Sequence, residues 1–218
     1  MQKNKLQGIP DGQKMDFAKD ISAFLKADRK NPPAKNQILF YGSSIIRLWT
    51  HLGEQFAPLP VLNRGFGGAR TWEAFHYADN IVLPYAPKII VYYTGSNDIN
   101  TGEPPQAIFD RYRQFSEKVA KWFPDTKIYY LAIFRAPQKQ DKWNIVDETN
   151  RLARVYSAQT PNRVFVDANF LVFDTHGQAR RERYVEDGLH FKDETYTDLA
   201  AFLKPVLQNA WEQTSNHL

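Results

Sequence analysis

The chain reads Ile38-Leu39-Phe40-Tyr41-Gly42-Ser43-Ser44-Ile45. Four apolar residues are followed at once by a glycine and two serines, which is typical of a buried strand that ends in a turn. Similar short apolar runs, rich in β-forming residues, occur at 61–62, 89–93, 128–133 and 164–166. Each of these runs predicts a strand.

Patterns with helical spacing lie between the predicted strands. The clearest places five apolar residues on one face, namely Ile108, Tyr112, Phe115, Val119 and Trp122. Further helical patterns begin at Asp16 and after Thr71, span about 145–157, and run from about 195 to 211. Near-continuously apolar strands that alternate with helices indicate βαβ units. We therefore expect a three-layer α/β domain with a parallel sheet.

The predicted domain covers residues 15–218. Gly8, Pro10 and Gly12 predict a flexible arm over residues 1–14. The sequence contains no internal repeat, low-complexity stretch or linker that would separate a second domain. A chain of 218 residues is long enough for one well-buried α/β domain and short for two.

Clusters of glycine, serine and asparagine follow three consecutive predicted strands, at 42–44, 63–68 and 95–98. Functional groups of open parallel sheets gather just beyond the carboxyl ends of the strands. Five of the eleven glycines fall in these loops, and glycine lets a backbone turn tightly or bring its N–H groups close to a ligand. The clusters therefore predict a functional site at this edge of the sheet.

A fourth cluster, Asp187-Gly188-Leu189-His190, places a carboxylate three residues before a histidine. A serine hydroxyl becomes a nucleophile when an imidazole takes its proton and a third group orients the imidazole. Ser43 and Ser44 are both candidates for that serine. An acyl-transfer site also needs donors for an oxyanion. The N–H groups of Ser44 and Gly68, with the Asn97 amide, would supply three such donors.

Taken singly, each cluster has a commoner structural explanation. Gly-Ser-Ser after a strand is usually an ordinary turn, and Gly-Ser-Asn-Asp is a common turn composition. The glycines of 65–68 fail the dinucleotide-binding spacing because Arg70 stands where a third glycine should be. Asp98, Asp167 and Asp187 show no pairing of the kind that glycosidases use. The remaining histidines lack metal-ligand spacing.

In their order along the chain, the four clusters resemble the conserved blocks of the SGNH hydrolases, also called GDSL esterases or lipases. The resemblance covers about residues 36–210. It is greatest to the branch that includes the catalytic subunits of platelet-activating-factor acetylhydrolase and many bacterial acylhydrolases. It implies a flavodoxin-like fold with a five-stranded parallel sheet.

The resemblance also assigns roles. Alignment to the family places the nucleophile at Ser44, with His190 as base and Asp187 as the residue that orients it. Gly68 and Asn97 would complete the oxyanion hole with the N–H of Ser44. One position departs from the family pattern: Ser43 stands where the first block usually has an aspartate. We expect this change to leave the triad intact. It leaves open which contacts hold the loop that carries Ser44.

These assignments predict a serine esterase that needs no cofactor or metal. Arginines beside aromatic residues suit a carboxylate, a phosphate or a sugar ring, and the candidates for substrate binding are Arg47, Arg70, Trp72, Arg135 and Trp143. We expect short acyl groups, especially acetyl, on a sugar or another polar alcohol. The alternatives are a lysophospholipase- or thioesterase-type acylhydrolase, and a non-catalytic anion- or sugar-binding protein on the same fold.

Composition and charge bear on nucleic-acid binding, on cysteine chemistry and on location in the cell. The net charge is +4, and the basic residues are interleaved with acids instead of forming the stripe expected of a nucleic-acid binder. The absence of cysteine excludes disulfides and thiolate catalysis. No apolar stretch approaches membrane-spanning length, and the first residues lack the apolar core of a signal peptide. We expect a cytoplasmic protein, or a secreted or periplasmic one whose signal peptide is outside this sequence. A homo-oligomer is left open.

Overall fold

The computed structural model describes residues 17–215. All strands of its sheet are parallel: β1 (Ile38–Gly42), β2 (Val61–Gly65), β3 (Ile89–Tyr93), β4 (Lys127–Leu131) and β5 (Arg163–Val166). Their order is β2-β1-β3-β4-β5. This order is that of a flavodoxin-like, doubly wound sheet, in which the winding direction reverses between β1 and β3. The predicted fold class is confirmed.

Helices precede, connect and follow the strands along the chain. They are α1 (Ala18–Lys30), α2 (Ser44–Arg47), α3 (Leu52–Phe56), α4 (Thr71–His76), α5 (Ala78–Ile81), α6 (Ser96–Asn100), α7 (Pro105–Trp122), α8 (Trp143–Gln159) and α9 (Asp193–Ser215). Short 3₁₀ segments occur at Leu83–Tyr85, Pro137–Lys142, Asn169–Leu171 and Arg181–Arg183. Within residues 17–215, no helix has the length and apolarity needed to cross a bilayer.

The chain divides into two compact units, one ending at Pro32 and the other beginning at Pro33. The first contains α1, which ends where Asn31-Pro32-Pro33 follows, since proline lacks the N–H that a continuing helix requires. The second contains the whole sheet. The predicted arm over 1–14 lies outside the described residues, and a single domain over residues 15–218 stays a prediction.

The central strands are apolar because both of their faces are covered. Every residue of β1 and β3 is buried, as expected for parallel strands between two helical layers. Tyr41 of β1 and Tyr92 of β3 point to one face, where their rings stack on Phe115 of α7 with centroids 5.6 and 4.6 Å away. Phe40 points to the other face and packs on Trp49 and Phe56.

The register brings three strand ends to one level. Gly42 at the end of β1 pairs with Gly65 of β2 on one side and Tyr93 of β3 on the other. The loops that follow therefore emerge side by side. The largest boundary difference from prediction is in β2, which includes Asn63, Arg64 and Gly65, residues that the sequence predicts in the loop after it. Backbone pairing with β1 extends this half-exposed edge strand past its apolar residues. The ends of β4 and β5 differ from the predicted runs by one or two residues.

Candidate active site

The turn after β1 depends on a close backbone approach at Gly42. A Cβ atom there would lie 1.9 Å from the carbonyl oxygen of Tyr93, so no other residue fits. The next N–H, that of Ser43, donates to the same Tyr93 oxygen at 2.9 Å, and the Ser43 carbonyl accepts from Ile46 N at 3.0 Å. This reversal makes Ser44 the first residue of α2.

Two distant side chains hold α2 in place. Asn63 of β2 donates from Nδ2 to the carbonyl of Ile46 at 2.7 Å. Tyr196 of α9 donates its hydroxyl to the carbonyl of Ile45 at 3.0 Å. The side chain of Ser43 caps no N–H of α2. The loop is thus anchored by its backbone and by these two donors, which answers how it is held without the family's aspartate.

Ser44, His190 and Asp187 form a continuous hydrogen-bonded chain. His190 Nε2 lies 2.8 Å from Ser44 Oγ, and His190 Nδ1 lies 2.6 Å from Asp187 Oδ2. The second carboxylate oxygen of Asp187 accepts the N–H groups of Leu189 at 2.8 Å and His190 at 2.9 Å. This local turn fixes the carboxylate against the imidazole that follows it three residues later.

The surroundings of Asp187 keep it ionised at neutral pH. Partial burial acts to raise its pKa, but the hydrogen bonds from the N–H groups of His190 and Leu189 and from the imidazole outweigh it. The pKa of Asp187 is therefore lowered from its usual value. The side chains of Asp187 and His190 are 44% and 25% exposed, so a ligand from solvent has access to this end of the chain of hydrogen bonds.

The predicted oxyanion donors lie in loops that are bonded to each other. Asn97 donates one amide hydrogen from Nδ2 to the carbonyl of Ala69 at 2.9 Å, which fixes the amide beside Gly68 and leaves its second hydrogen for another acceptor. Gly68 has a φ of +83°, a conformation that favours glycine. Within residues 17–215, the N–H groups of Ser44 and Gly68 have no hydrogen-bond acceptor.

Asp98 links the loop of Asn97 to the loop of Gly68 by hydrogen bonds to Thr71. It is fully buried and accepts from the N–H of Thr71 at 2.9 Å and from the Thr71 hydroxyl at 2.5 Å, and Arg111 lies 3.5 Å away. Burial raises the pKa of Asp98, and the Thr71 and Arg111 contacts offset part of that effect. Its place in the structure is to join the start of α4 to α6, next to Asn97.

Lys139 is part of the site's framework, and sequence reasoning missed it. Its side chain is 1% exposed, and Nζ donates to the Ser96 carbonyl at 2.9 Å and to Ser96 Oγ at 2.6 Å. The preceding residue, Gln138, donates its N–H to the carbonyl of Gly188 at 3.1 Å. The segment Pro137–Lys142 thus bridges the loop of Asn97 and the loop of His190. A lysine in a polar Gln-Lys-Gln-Asp-Lys run gives no sequence signal of burial.

The predicted substrate-binding residues fall in different settings. Arg47 is exposed, and its guanidinium lies on Gly67, where a Cβ would be 2.6 Å from Arg47 Nε. Arg70 is buried and donates from Nη2 to Glu73 Oε1 at 2.6 Å. Trp72 is half-buried and stacks on the ring of His76 at 4.9 Å. Of these three residues, Arg47 therefore offers an exposed charged group beside the loop of Gly68.

The other two predicted binding residues form a cluster of their own. Arg135 pairs with Asp147 at 2.6 Å and lies over the ring of Phe173. Trp143 donates from Nε1 to the carbonyl of Ala136 at 3.0 Å, and its ring meets Phe173 edge-on at 5.3 Å. The structure brings Arg135 and Trp143 together at the start of α8. Their role in binding stays a prediction.

A cavity of about 840 Å³ lies at the opposite edge of the sheet, where the strands begin. It contains no histidine, and its lining residues are Asn36, Ala86, Pro87, Lys88, Trp122, Phe123, Pro124, Asp125, Thr126, Lys127, Asn162, Gln213 and Thr214. Among the residues that the structure describes, no three histidine or acidic side chains converge as a metal ion would require. The hydrogen-bonded chain of Ser44, His190 and Asp187 lies at the carboxyl edge instead.

Known proteins resemble this chain in sequence pattern and in fold. The sequence pattern of the GDSL-like lipase/acylhydrolase family matches residues 41–197. None of the curated proteins compared with the chain matches it.

Solved structures share the fold. A Streptococcus pneumoniae structure named for a platelet activating factor is 24% identical, with a TM-score of 0.75 over 87% of this chain and 92% of that one. A GDSL-like lipase from Bacteroides thetaiotaomicron is 19% identical, with a TM-score of 0.73 over 89% and 100% of the two chains. The catalytic domain of peptidoglycan O-acetyltransferase A from Streptococcus pneumoniae is 16% identical, with a TM-score of 0.63 over 82% and 96%.

Proposed function

Because the chain belongs to the GDSL-like lipase/acylhydrolase family, we propose that it is a serine esterase that hydrolyses carboxylic esters through Ser44. The observation that carries this proposal is the hydrogen-bonded chain from Ser44 through His190 to Asp187. Ser44 and His190 are 146 residues apart in sequence. A nucleophile, a base and an ionised orienting group at these distances are what acyl transfer requires.

In the first half of the reaction, His190 Nε2 removes the Oγ proton as Ser44 attacks the ester carbonyl carbon. The carbonyl oxygen becomes an oxyanion, which the N–H groups of Ser44 and Gly68 and the Asn97 amide bind. Each such donor contributes about 3 kcal/mol to transition-state stabilisation in comparable sites. The tetrahedral intermediate then collapses: the bond to the alcohol oxygen breaks, and the imidazolium of His190 protonates the departing alcohol.

In the second half, water hydrolyses the acyl-enzyme by the same route. His190 takes a proton from the attacking water, and the same donors bind the second oxyanion. Collapse breaks the ester bond to Ser44, whose Oγ recovers a proton from the imidazolium. Asp187 stays ionised throughout, because its hydrogen bonds lower its pKa. It selects the tautomer in which Nδ1 carries the proton and Nε2 accepts one.

For the substrate we propose a short acyl group, especially acetyl, on a sugar or another polar alcohol. A solved structure with this fold is named for O-acetyl transfer on peptidoglycan, which is a sugar polymer. The exposed large apolar side chains among residues 17–215 are Leu83, Val155, Phe170 and Val185, which lie in separate segments. They supply no continuous apolar run of the kind expected of a lid for action at lipid surfaces.

The role of Ser44 is tested with p-nitrophenyl acetate and a matched pair of variants. Ser44→Ala is expected to lower kcat at least about a thousandfold, because triad members act as a unit. Ser43→Ala, one residue earlier, is expected to keep most of the activity. If Ser43→Ala loses turnover while Ser44→Ala retains it, the nucleophile is Ser43 and the assignment to Ser44 is wrong. Wild-type turnover in both variants would reject the mechanism.

A panel of esters separates the proposed substrate from the alternatives. It contains p-nitrophenyl esters from acetyl to palmitoyl, an acetylated sugar, a lysophospholipid and an acyl thioester. We expect kcat/KM to be highest for acetyl esters. A preference for long chains, for the lysophospholipid or for the thioester would favour the other acylhydrolases. Failure of a fluorophosphonate probe to label Ser44 would favour a binding protein.

A further inference from the structure

Two arginines of residues 33–215 differ from all the others in this range. Each of the others donates a side-chain hydrogen bond to an acid, a hydroxyl or a carbonyl; these are Arg64, Arg70, Arg111, Arg113, Arg135, Arg151, Arg154, Arg163, Arg180 and Arg183. Arg47 and Arg181 have no acceptor and no acid within salt-bridge distance among the described residues. Both are exposed.

Arg47 lies beside the predicted oxyanion hole. It follows Ser44 by three residues in α2, a spacing that puts both residues on one side of the helix. Its guanidinium rests on Gly67: a Cβ there would be 2.6 Å from Nε and 3.2 Å from Cζ. Gly68, the next residue, carries one of the predicted oxyanion donors. The Arg47 guanidinium can lie here because Gly67 has no side chain.

Arg181 lies beside the acid–base loop. A Cβ on Gly188 would be 2.7 Å from Arg181 Nη1, and Gly188 stands between Asp187 and Leu189, two residues before His190. The second unpartnered guanidinium therefore also packs on a glycine of a loop that carries the proposed chemistry. Arg47 thus contacts the loop of Gly68, and Arg181 contacts the loop of Asp187 and His190.

Unpaired arginines are ordinary on protein surfaces, but here exposure alone does not explain them. Arg151 and Arg154 are 58% and 60% exposed and still pair with Glu148 and Asp167. A guanidinium presents donors in a planar fork that fits carboxylate and phosphate oxygens. Asp187 would repel an anion at this end of the sheet, so an anionic ligand needs positive groups nearby.

We propose that Arg47 and Arg181 bind an anionic group of the substrate, so that the preferred ester carries a carboxylate or a phosphate on its alcohol portion. This inference rests on the proposed esterase function and narrows its substrate class. Hydrolysis leaves the anionic alcohol and a free acid as products. The two arginines set specificity and take no part in the bond changes at Ser44.

The test compares matched acetyl esters that differ in charge. One pair is 4-acetoxybenzoate and its neutral methyl ester; the other is 4-acetoxyphenyl phosphate and 4-acetoxyanisole. We expect wild type to have at least fivefold higher kcat/KM for the anionic member of one pair than for its neutral partner. The pair that shows this preference identifies the preferred anion as a carboxylate or a phosphate. Arg47→Gln and Arg181→Gln should each reduce that ratio at least threefold. Arg151→Gln, an exposed and paired arginine of α8, should leave the ratio within twofold.

A binding measurement keeps this inference separable from the esterase proposal. The same four compounds are titrated into Ser44→Ala by calorimetry, with and without Arg47→Gln and Arg181→Gln. Tighter binding of an anionic member, lost in the arginine variants, supports the inference even if wild type hydrolyses no ester. Equal binding of charged and neutral members overturns it, as does an anionic preference that survives both arginine substitutions.

Discussion

At the residue scale, the position of the His190 ring depends on Asp187. One carboxylate oxygen of Asp187 accepts the imidazole N–H, and the other accepts two backbone N–H groups. These bonds come from residues within the same short turn. The imidazole is therefore aligned with Ser44 by local backbone geometry, and the long-range step is the meeting of His190 and Ser44.

Replacing Asp187 by asparagine tests this alignment. The amide can present an N–H to Nδ1, which would favour the tautomer that cannot accept the Ser44 proton. We expect kcat on p-nitrophenyl acetate to fall about 10⁴-fold, as in other triads. Glu186→Gln, which alters the neighbouring exposed carboxylate, should stay within twofold of wild type. An Asp187→Asn variant with a tenth or more of wild-type kcat would contradict the role given to Asp187.

At the scale of elements, the 3₁₀ segment Pro137–Lys142 joins two loops of the site. Lys139 bonds to Ser96 in the loop of Asn97, while Gln138 bonds to Gly188 in the loop of His190. The charged groups facing Lys139 are Lys142 in its own segment and Asp98 in α6. Burial and then Lys142 lower the pKa of Lys139 to about 8, and Asp98 acts in the opposite direction.

Protonated Lys139 should therefore hold the loop of Asn97 more strongly than the neutral amine does. We expect Lys139→Met to lower kcat about tenfold at pH 7, which corresponds to about 1.4 kcal/mol. In wild type, kcat should decline as the pH rises through about 8, where Lys139 loses its proton. The variant should lack that decline. The measurement is kcat and KM from pH 6.5 to 9.5, with spontaneous hydrolysis subtracted.

Lys142→Met is the matched control for this titration. Lys142 lowers the pKa of Lys139, so its removal should move the decline in kcat to higher pH. Identical profiles in wild type, Lys139→Met and Lys142→Met would show that Lys139 does not position the loop through its charge.

At the scale of the whole molecule, the site joins parts of the chain that only the folded core brings together. Tyr184 and Phe191 flank the acid–base loop and are 2% and 5% exposed, and Val185 N donates to His190 O at 2.9 Å. Tyr196 of α9 reaches Ile45 beside Ser44. Both loops are anchored in the same core, so they should come apart only when the core unfolds.

Labelling of Ser44 in urea tests this coupling. Reaction with a fluorophosphonate probe should disappear at the same urea concentration at which tryptophan fluorescence reports unfolding, because the buried Trp49 lies in the core next to Tyr196. Ser44→Ala serves as the blank for labelling. Loss of labelling well before the fluorescence change would show that the site opens locally, against this expectation.

The sequence by itself determined the kind of fold and the cluster of candidate groups. Strands covered on both faces must be apolar along their length, so the run at 38–41 identifies a central strand without reference to its partners. Turns at the carboxyl ends need glycine, as Gly42 illustrates, and Asp187 and His190 meet within one turn. Such features depend on neighbours in the chain, which the sequence displays directly.

The tertiary structure alone decided which side chains are engaged. Arg70 and Arg47 both follow predicted strands, yet Arg70 is held by Glu73 and Arg47 has no partner among residues 17–215. Lys139 stands in a polar run and is nevertheless buried on Ser96. Asn63 and Tyr196 hold α2 by hydrogen bonds from far along the chain. Contacts between distant residues depend on how the layers pack, and local composition carries no record of that packing.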